Sequence, residues 1–307
     1  MKSVLIISAN ALGDTYLSSS ALIPLKEMLG NVSVDLLTLR DCGIFTGYLG
    51  YDNVFFVERR SAAELFRIRK FLAVREYNYV FSFFPGRMNS LLVMQSLSKN
   101  KYYYKNILRV EDWYKNPQSV YFNAQKTGLA WEPPMNYLER INLLLGSAFG
   151  TDFEVKKPLF SFPVSPEKEN PGEVLINFSS REESRSLDRK LVMELSEYIF
   201  RVFGRRVCIL DFRNEITERP DFAVFPENYD FSGIMNRIVS SELFISVDSF
   251  LIHPAEAYGV NLLGLFGPTN PGSVLSSPKK EFIRINPLKD LKLEDVIPSV
   301  RKMLGEE

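Results

Sequence analysis

The chain has 307 residues, 46% of them hydrophobic and 24% charged, a composition that excludes disorder, a collagen-like repeat and a small disulfide scaffold. Its length favours two domains over one. Lys plus Arg equals Asp plus Glu at 37 each, but residues 1–150 hold 17 basic and 12 acidic side chains (+5) and residues 151–307 hold 20 and 25 (−5). That tilt falls short of the concentrated basic face of a nucleic-acid binder, yet it suits the N-terminal half to an anionic partner.

A β-branched run at 4–7 predicts the first strand, closed by a glycine-containing turn over 9–13. Leu17, Ala21, Leu22, Leu25 and Leu29 recur at spacings of three and four and predict a helix. Strands follow at 32–37, 54–57 and 79–84, the last ended by Pro85-Gly86. Over 61–75, Leu65, Phe66, Ile68, Phe71 and Leu72 form an apolar stripe, with basic residues on the other face. The Pro-rich, charged stretch 156–172 lacks periodicity and predicts a linker between a domain at 1–155 and another at 173–307. The second half predicts strands at 174–178, 207–211, 243–247 and 262–266, and helices at 187–203 and about 293–304. The last carries a kink at Pro298 and is free to pack back on the first domain. Such alternation implies right-handed crossovers and parallel sheets. The expected architecture is α/β: two Rossmann-like, doubly wound domains facing a cleft.

Cys42 and Cys208 are too far apart for a disulfide framework, which fits a reducing compartment. The apolar run at 4–7 is too short for a signal-peptide core, and no stretch reaches the ~18–20 apolar residues of a membrane span. A soluble, cytoplasmic protein is expected.

Ligands of open parallel sheets collect at the carboxyl ends of the strands. This directs attention to three loops, 8–14, 179–185 and 246–253, the last joined downstream by 266–271. None contains G-x-G-x-x-G, a Walker A sequence or G-x-S-x-G. His253 is the only histidine, so a multi-histidine metal site is excluded. Taken singly, these residues have plain explanations. Asp14 reads as a helix N-cap, His253 as a helix-end residue, Arg181 and Arg185 as surface partners of Glu182 and Glu183, and Gly267-Pro268-Thr269 as a turn.

Together they resemble glycosyltransferase family 9, the lipopolysaccharide heptosyltransferases. Members begin with a short strand and an x-L-G-D segment, matched by Ala11-Leu12-Gly13-Asp14. They later carry D-T-G-x-x-H and G-P-T-x-P, matched by Asp248-Ser249-Phe250-Leu251-Ile252-His253 and Gly267-Pro268-Thr269-Asn270-Pro271. The resemblance implies a GT-B fold and inverting, metal-independent sugar transfer, of a heptose, from a nucleoside diphosphate, ADP-linked, with no further cofactor. The absence of a D-x-D motif is compatible with a metal-free donor site. It casts Asp14 as the base that deprotonates the acceptor hydroxyl, with Gly13 shaping its loop. On the donor side it implies Ser180, Arg181, Arg185, Ser249, His253, Gly267, Pro268 and Thr269, with Asp248 capping a helix or accepting a sugar hydroxyl.

Two departures fall in that donor site. Phe250 stands where the family has glycine, and Ser184 stands at its lysine position, so Arg185 takes the lysine's role or the role is lost. On the acceptor side, Lys99, Lys101, Lys105, Arg109, Lys115 and Lys126 alternate with Tyr102, Tyr103, Tyr104, Trp113 and Tyr114. They read either as an aromatic-rich strand with its loop or as a surface for an anionic glycolipid. Arg59, Arg60, Arg67, Arg69, Lys70 and Arg75 add to the attraction and would allow peripheral contact with the inner membrane face. A catalytically silent nucleotide- or sugar-binding scaffold is the main alternative, and a GT-B-like epimerase the weaker one.

Overall fold

Aliphatic runs bounded by turn residues become strands here, and the stretches between them become helices. The computed structural model describes residues 1–58, 61–98, 100–104, 136–162, 172–227, 229–276 and 280–305. It divides into two units, Met1–Ser161 and Phe162–Glu307.

The first unit holds β1 (Lys2–Ser8), β2 (Val32–Leu39), β3 (Asn53–Val57), β4 (Tyr79–Ser82) and β5 (Asn100–Tyr103) in the order β3-β2-β1-β4-β5. All pairs are parallel. Val4, Leu5, Ile6 and Ile7 of the central strand are wholly buried. A parallel sheet covered on both faces selects such an unbroken apolar run over an alternating one. The helices are α1 (Leu12–Ser18), α2 (Leu22–Leu29), α3 (Gly43–Thr46), α4 (Ala62–Leu72), α5 (Arg87–Gln95) and α6 (Tyr137–Phe149).

The single helix predicted around 17–29 is interrupted by a 3-10 turn at Ser19–Ala21. The hydroxyls of Ser18 and Ser19 donate to the carbonyls of Asp14 and Thr15 at 2.7 and 3.2 Å, offering the backbone an alternative to the helix ladder. Pro24 then lacks the N–H that the Ser20 carbonyl would receive in a continuous helix. The helix predicted over 61–75 is α4, whose N-cap Ser61 accepts from the Glu64 amide at 3.3 Å.

In the second unit β6 (Val174–Asn177), β7 (Val207–Leu210), β8 (Ala223–Val224), β9 (Leu243–Val247), β10 (Leu262–Phe266) and β11 (Glu281–Arg284) run in the order β11-β10-β9-β6-β7-β8, again parallel. Its helices are α7 (Arg189–Phe203), α8 (Phe231–Ser240), α9 (Ile252–Ala257), α10 (Pro271–Val274) and α11 (Leu293–Leu304). Helix α11 continues through Pro298 and packs on α7, burying Val296 and Val300 in the same cluster as Leu191 and Leu195. The α/β class with two parallel sheets is the one expected from the sequence. In each sheet the strand order reverses beside the first strand of its unit: between β1 and β4, and between β6 and β9. Such strand reversals are the usual place for a ligand in open parallel sheets.

Candidate active site

At the first reversal, the loop after β1 meets the loop after β4. Asn10 Nδ2 donates to the Pro85 carbonyl at 3.3 Å, and a Cβ on Gly86 would lie 2.5 Å from Asn10 Oδ1. A side chain at 86 would therefore have to displace the Asn10 amide. Helix α1 starts immediately afterwards, with Ala11 as its N-cap. Asp14 is thus the third residue of the helix and not the N-cap. Its side chain is half-buried, and an acid in the first turn faces the favourable end of the helix dipole.

A buried hydroxyl cluster fixes that turn. Thr15 Oγ1 and Thr38 Oγ1 are 2.8 Å apart, and both bond to the Ser8 carbonyl, at 3.1 and 2.8 Å. Cys42 Sγ donates to Thr15 Oγ1 at 3.3 Å. Beside them lies Arg140 of α6, only 3% exposed. Burial pushes its guanidinium down to about 10, opposed by Tyr137, Tyr104 and the Asp14 carboxylate. Sequence reasoning missed Arg140, although a cation on the helical stripe with Ile141, Leu144 and Leu145 is a visible anomaly.

The interleaved basic and aromatic segment is different from a ligand surface where it is described. Tyr102, Tyr103 and Tyr104 are 9, 3 and 3% exposed and belong to or adjoin β5. The Tyr102 ring stacks on Phe81, and Tyr104 donates to the Arg140 carbonyl. Lys101 Nζ donates to the Met94 carbonyl at 3.0 Å, and burial pushes its ammonium down. Strand core is the correct account of these four. Arg59, Arg60, Lys99, Lys105, Arg109, Trp113, Tyr114, Lys115 and Lys126 lie outside the described residues.

The second reversal gathers most of the predicted donor residues. Asp248 Oδ2 accepts from Thr269 Oγ1 at 2.5 Å and pairs with Arg185 Nη1 at 3.2 Å. The Asp248 carbonyl accepts from Ser180 Oγ at 3.0 Å. Arg185 Nη2 also reaches Glu182 at 3.2 Å, so this guanidinium is engaged by two carboxylates. Arg181 is exposed on the same loop. Gly267 is buried: a Cβ there would lie 3.0 Å from Leu288 Cβ and 3.3 Å from the Ser184 carbonyl, so any side chain requires these neighbours to move apart. Pro268 is exposed beside it.

His253 is 5% exposed within α9. The amides of Ile252 and His253 bond to the Ser249 and Phe250 carbonyls at 3.3 and 3.1 Å, so they serve the turn. The ring of Phe250 stacks at 6.1 Å on Phe231, which accommodates its bulk in place of glycine. Two participants were not anticipated. Arg213 Nη2 donates to the Ser180 carbonyl at 2.7 Å, and Asn177 bonds Ser249. An asparagine ending the run Val174-Leu175-Ile176 is the signal that could have found the latter.

Among the described residues, no group of three His, Cys, Asp or Glu side chains is placed to hold a metal ion, and no helix is long and apolar enough to cross a membrane.

Residues 213–294 match the family model described as glycosyltransferase family 9 (heptosyltransferase). The matched stretch includes Asp248, Ser249, His253 and Thr269 but not Asp14 or Arg185. No curated protein matches by sequence. Among solved structures, the chain is similar to E. coli heptosyltransferase WaaC with ADP at a TM-score of 0.74 and 15% identity, covering 98% of this chain and 99% of that one. It is also similar to E. coli ADP-heptose lps heptosyltransferase II at a TM-score of 0.70 and 14% identity, covering 99% and 98%. For the glycosyl transferase family 9 structure from Veillonella parvula the values are 0.69, 13%, 100% and 98%. These likenesses extend the agreement in fold over both units.

Proposed function

We propose that the chain is a glycosyltransferase of the family 9 type, a reading supported by the family match over residues 213–294 and the likeness in fold, and that it transfers a heptose, with inversion and without a metal, from an ADP-linked donor to an anionic, lipopolysaccharide-type acceptor. One observation carries this reading: the polar knot of Asp248, Thr269, Arg185 and Ser180 at the strand reversal of the second sheet, of which Asp248 and Thr269 lie within the family match. Asp14 accepts the proton of the acceptor hydroxyl while that oxygen attacks the anomeric carbon. The bond from this carbon to the diphosphate oxygen breaks, and its electron pair leaves with the nucleotide. Growing charge on the diphosphate is met by guanidinium groups and the Ser249 hydroxyl, in charge-assisted hydrogen bonds. Arg185 begins paired to Asp248 and Glu182, so the nucleotide must share or replace those carboxylates. Exposed Arg181 is open to it directly.

On the acceptor side, α4 presents Phe66 at 58% exposure and, just beyond its end, Val74 at 81%, flanking Arg69 and Lys70. Leu97 (51% exposed) borders a groove of about 420 Å³ shared with Arg69 and Met94. Exposed apolar side chains around cations suit peripheral contact with anionic lipid.

The test is Asp14→Asn. Transfer should fall by about 10²–10⁴, while ADP affinity measured by calorimetry stays within about twofold of wild type. Undiminished turnover would remove Asp14 from the base role. Phe250 in place of the family glycine supports the second reading, a silent binding relative. ADP binding by the wild type with no sugar transfer to any lipopolysaccharide acceptor would favour it.

A further inference from the structure

At the strand reversal of the second sheet, Asn177 is 1% exposed at the end of β6. Asn177 Nδ2 donates to Ser246 Oγ at 3.0 Å and to Ser249 Oγ at 2.8 Å, which uses both of its hydrogens. Ser246 sends its own hydrogen to the Val247 carbonyl at 2.9 Å. Ser249 therefore accepts from the amide and keeps its hydrogen. Among the described residues, the alternative protein acceptor within reach is Ser246 Oγ, at 3.5 Å the outer limit of a hydrogen bond.

The opposite amide orientation is disfavoured. Asn177 Oδ1 is buried without a partner among the described residues. Exchanging O and N would put a buried NH2 group there, and an unmatched buried donor is rarer than an under-satisfied carbonyl. The Asp248 carboxylate is already answered by Thr269 and Arg185. We propose that Asn177 is a positioning residue that fixes Ser249 as a hydrogen-bond donor toward the ligand, and so sets the preference of this loop for an acceptor-only group, a phosphate oxygen of the donor diphosphate. The inference rests on the diphosphate reading above.

Asn177, Ser249 and their partner Ser246 are separable by a double-mutant cycle read as ADP affinity in calorimetry, with melting temperatures recorded alongside. Ser249→Ala should weaken ADP binding about tenfold, the scale of one hydrogen bond to a charged group. Asn177→Ala should weaken it about fivefold while Ser249 is present, and by less than about twofold in the Ser249→Ala background. Ser246→Ala, which disturbs the same amide without facing the ligand, should leave affinity within about twofold. If Asn177→Ala does not fold, Asn177→Asp runs the same cycle. Its acceptor-only carboxylate draws the Ser249 hydrogen inward, so its loss should exceed that of Asn177→Ala and should shrink when Ser249 is absent. Losses that simply add, at either variant, overturn the role of Asn177 and leave the diphosphate reading intact. Failure of the wild type to bind ADP overturns both.

Discussion

In the first unit the hydroxyls at the strand reversal bond to one another and to the Ser8 carbonyl, leaving Asp14 as the half-buried acid above a closed polar floor. In the second unit the corresponding floor is Asn177 with two serines. One hydroxyl points inward, and the other retains a hydrogen for something outside the protein. The scaffold is the same: a parallel sheet with its reversal beside the unit's first strand. What differs is where the hydrogen bonds end. A closed network secures a loop and the carboxylate it carries, whereas an open one leaves a donor for a ligand.

This contrast predicts opposite consequences for similar small substitutions. Thr15→Val deletes the hub of the closed network and removes its bonds to the Ser8 carbonyl, Thr38 and Cys42, at a cost of about 1–3 kcal/mol in denaturant unfolding. Thr15→Ser should recover most of it. If Thr15→Val were neutral in stability and changed only ligand binding, the two floors would not differ as described. A smaller effect is expected at the surface. The double change Phe66→Ser and Val74→Ser should reduce sedimentation with vesicles containing phosphatidylglycerol severalfold, with melting temperature unchanged, since surface contact covers only part of each side chain, at about 25 cal/mol per Å² of apolar area. Equal binding by wild type and variant would detach this face from lipid.

The smallest effect concerns the far end of the second sheet. Cys208 is fully buried, and burial, with Glu173 next, pushes its thiol up to about 12. A raised native value means the folded chain holds this proton more firmly than the unfolded one. Its contribution is thus complete below the unfolded value of about 8.5 and is lost as pH rises toward about 12. Cys208→Ala should flatten that alkaline decline in a series of melting curves, and an unchanged slope would assign the decline elsewhere.

Much of the fold was legible in the sequence because burial on both faces of a parallel sheet writes itself as aliphatic runs, such as Val4 to Ile7 and Leu243 to Val247. β5 was harder, since Lys101 and the tyrosines resemble a wet surface until Met94 is seen to accept from the lysine. β8 and β11, short or half-exposed, carry little such signal. At the two strand reversals, Asp14 in the first unit and Asp248 and Thr269 in the second stand in recognisable short blocks. Asn177, Arg140 and Arg213 act through partners far along the chain, and no local pattern encodes those meetings.

The sequence by itself determined the elements, the parallel α/β class and the short blocks around Asp14 and Asp248, because periodicity and turn chemistry act between near neighbours. Tertiary structure alone decided that Arg185 faces Asp248, that Gly267 lies under the Ser184 carbonyl, and that Asn177 orients Ser249. Strand order brings those groups within a few ångströms, and at that range the direction of a single hydrogen bond settles what each can do.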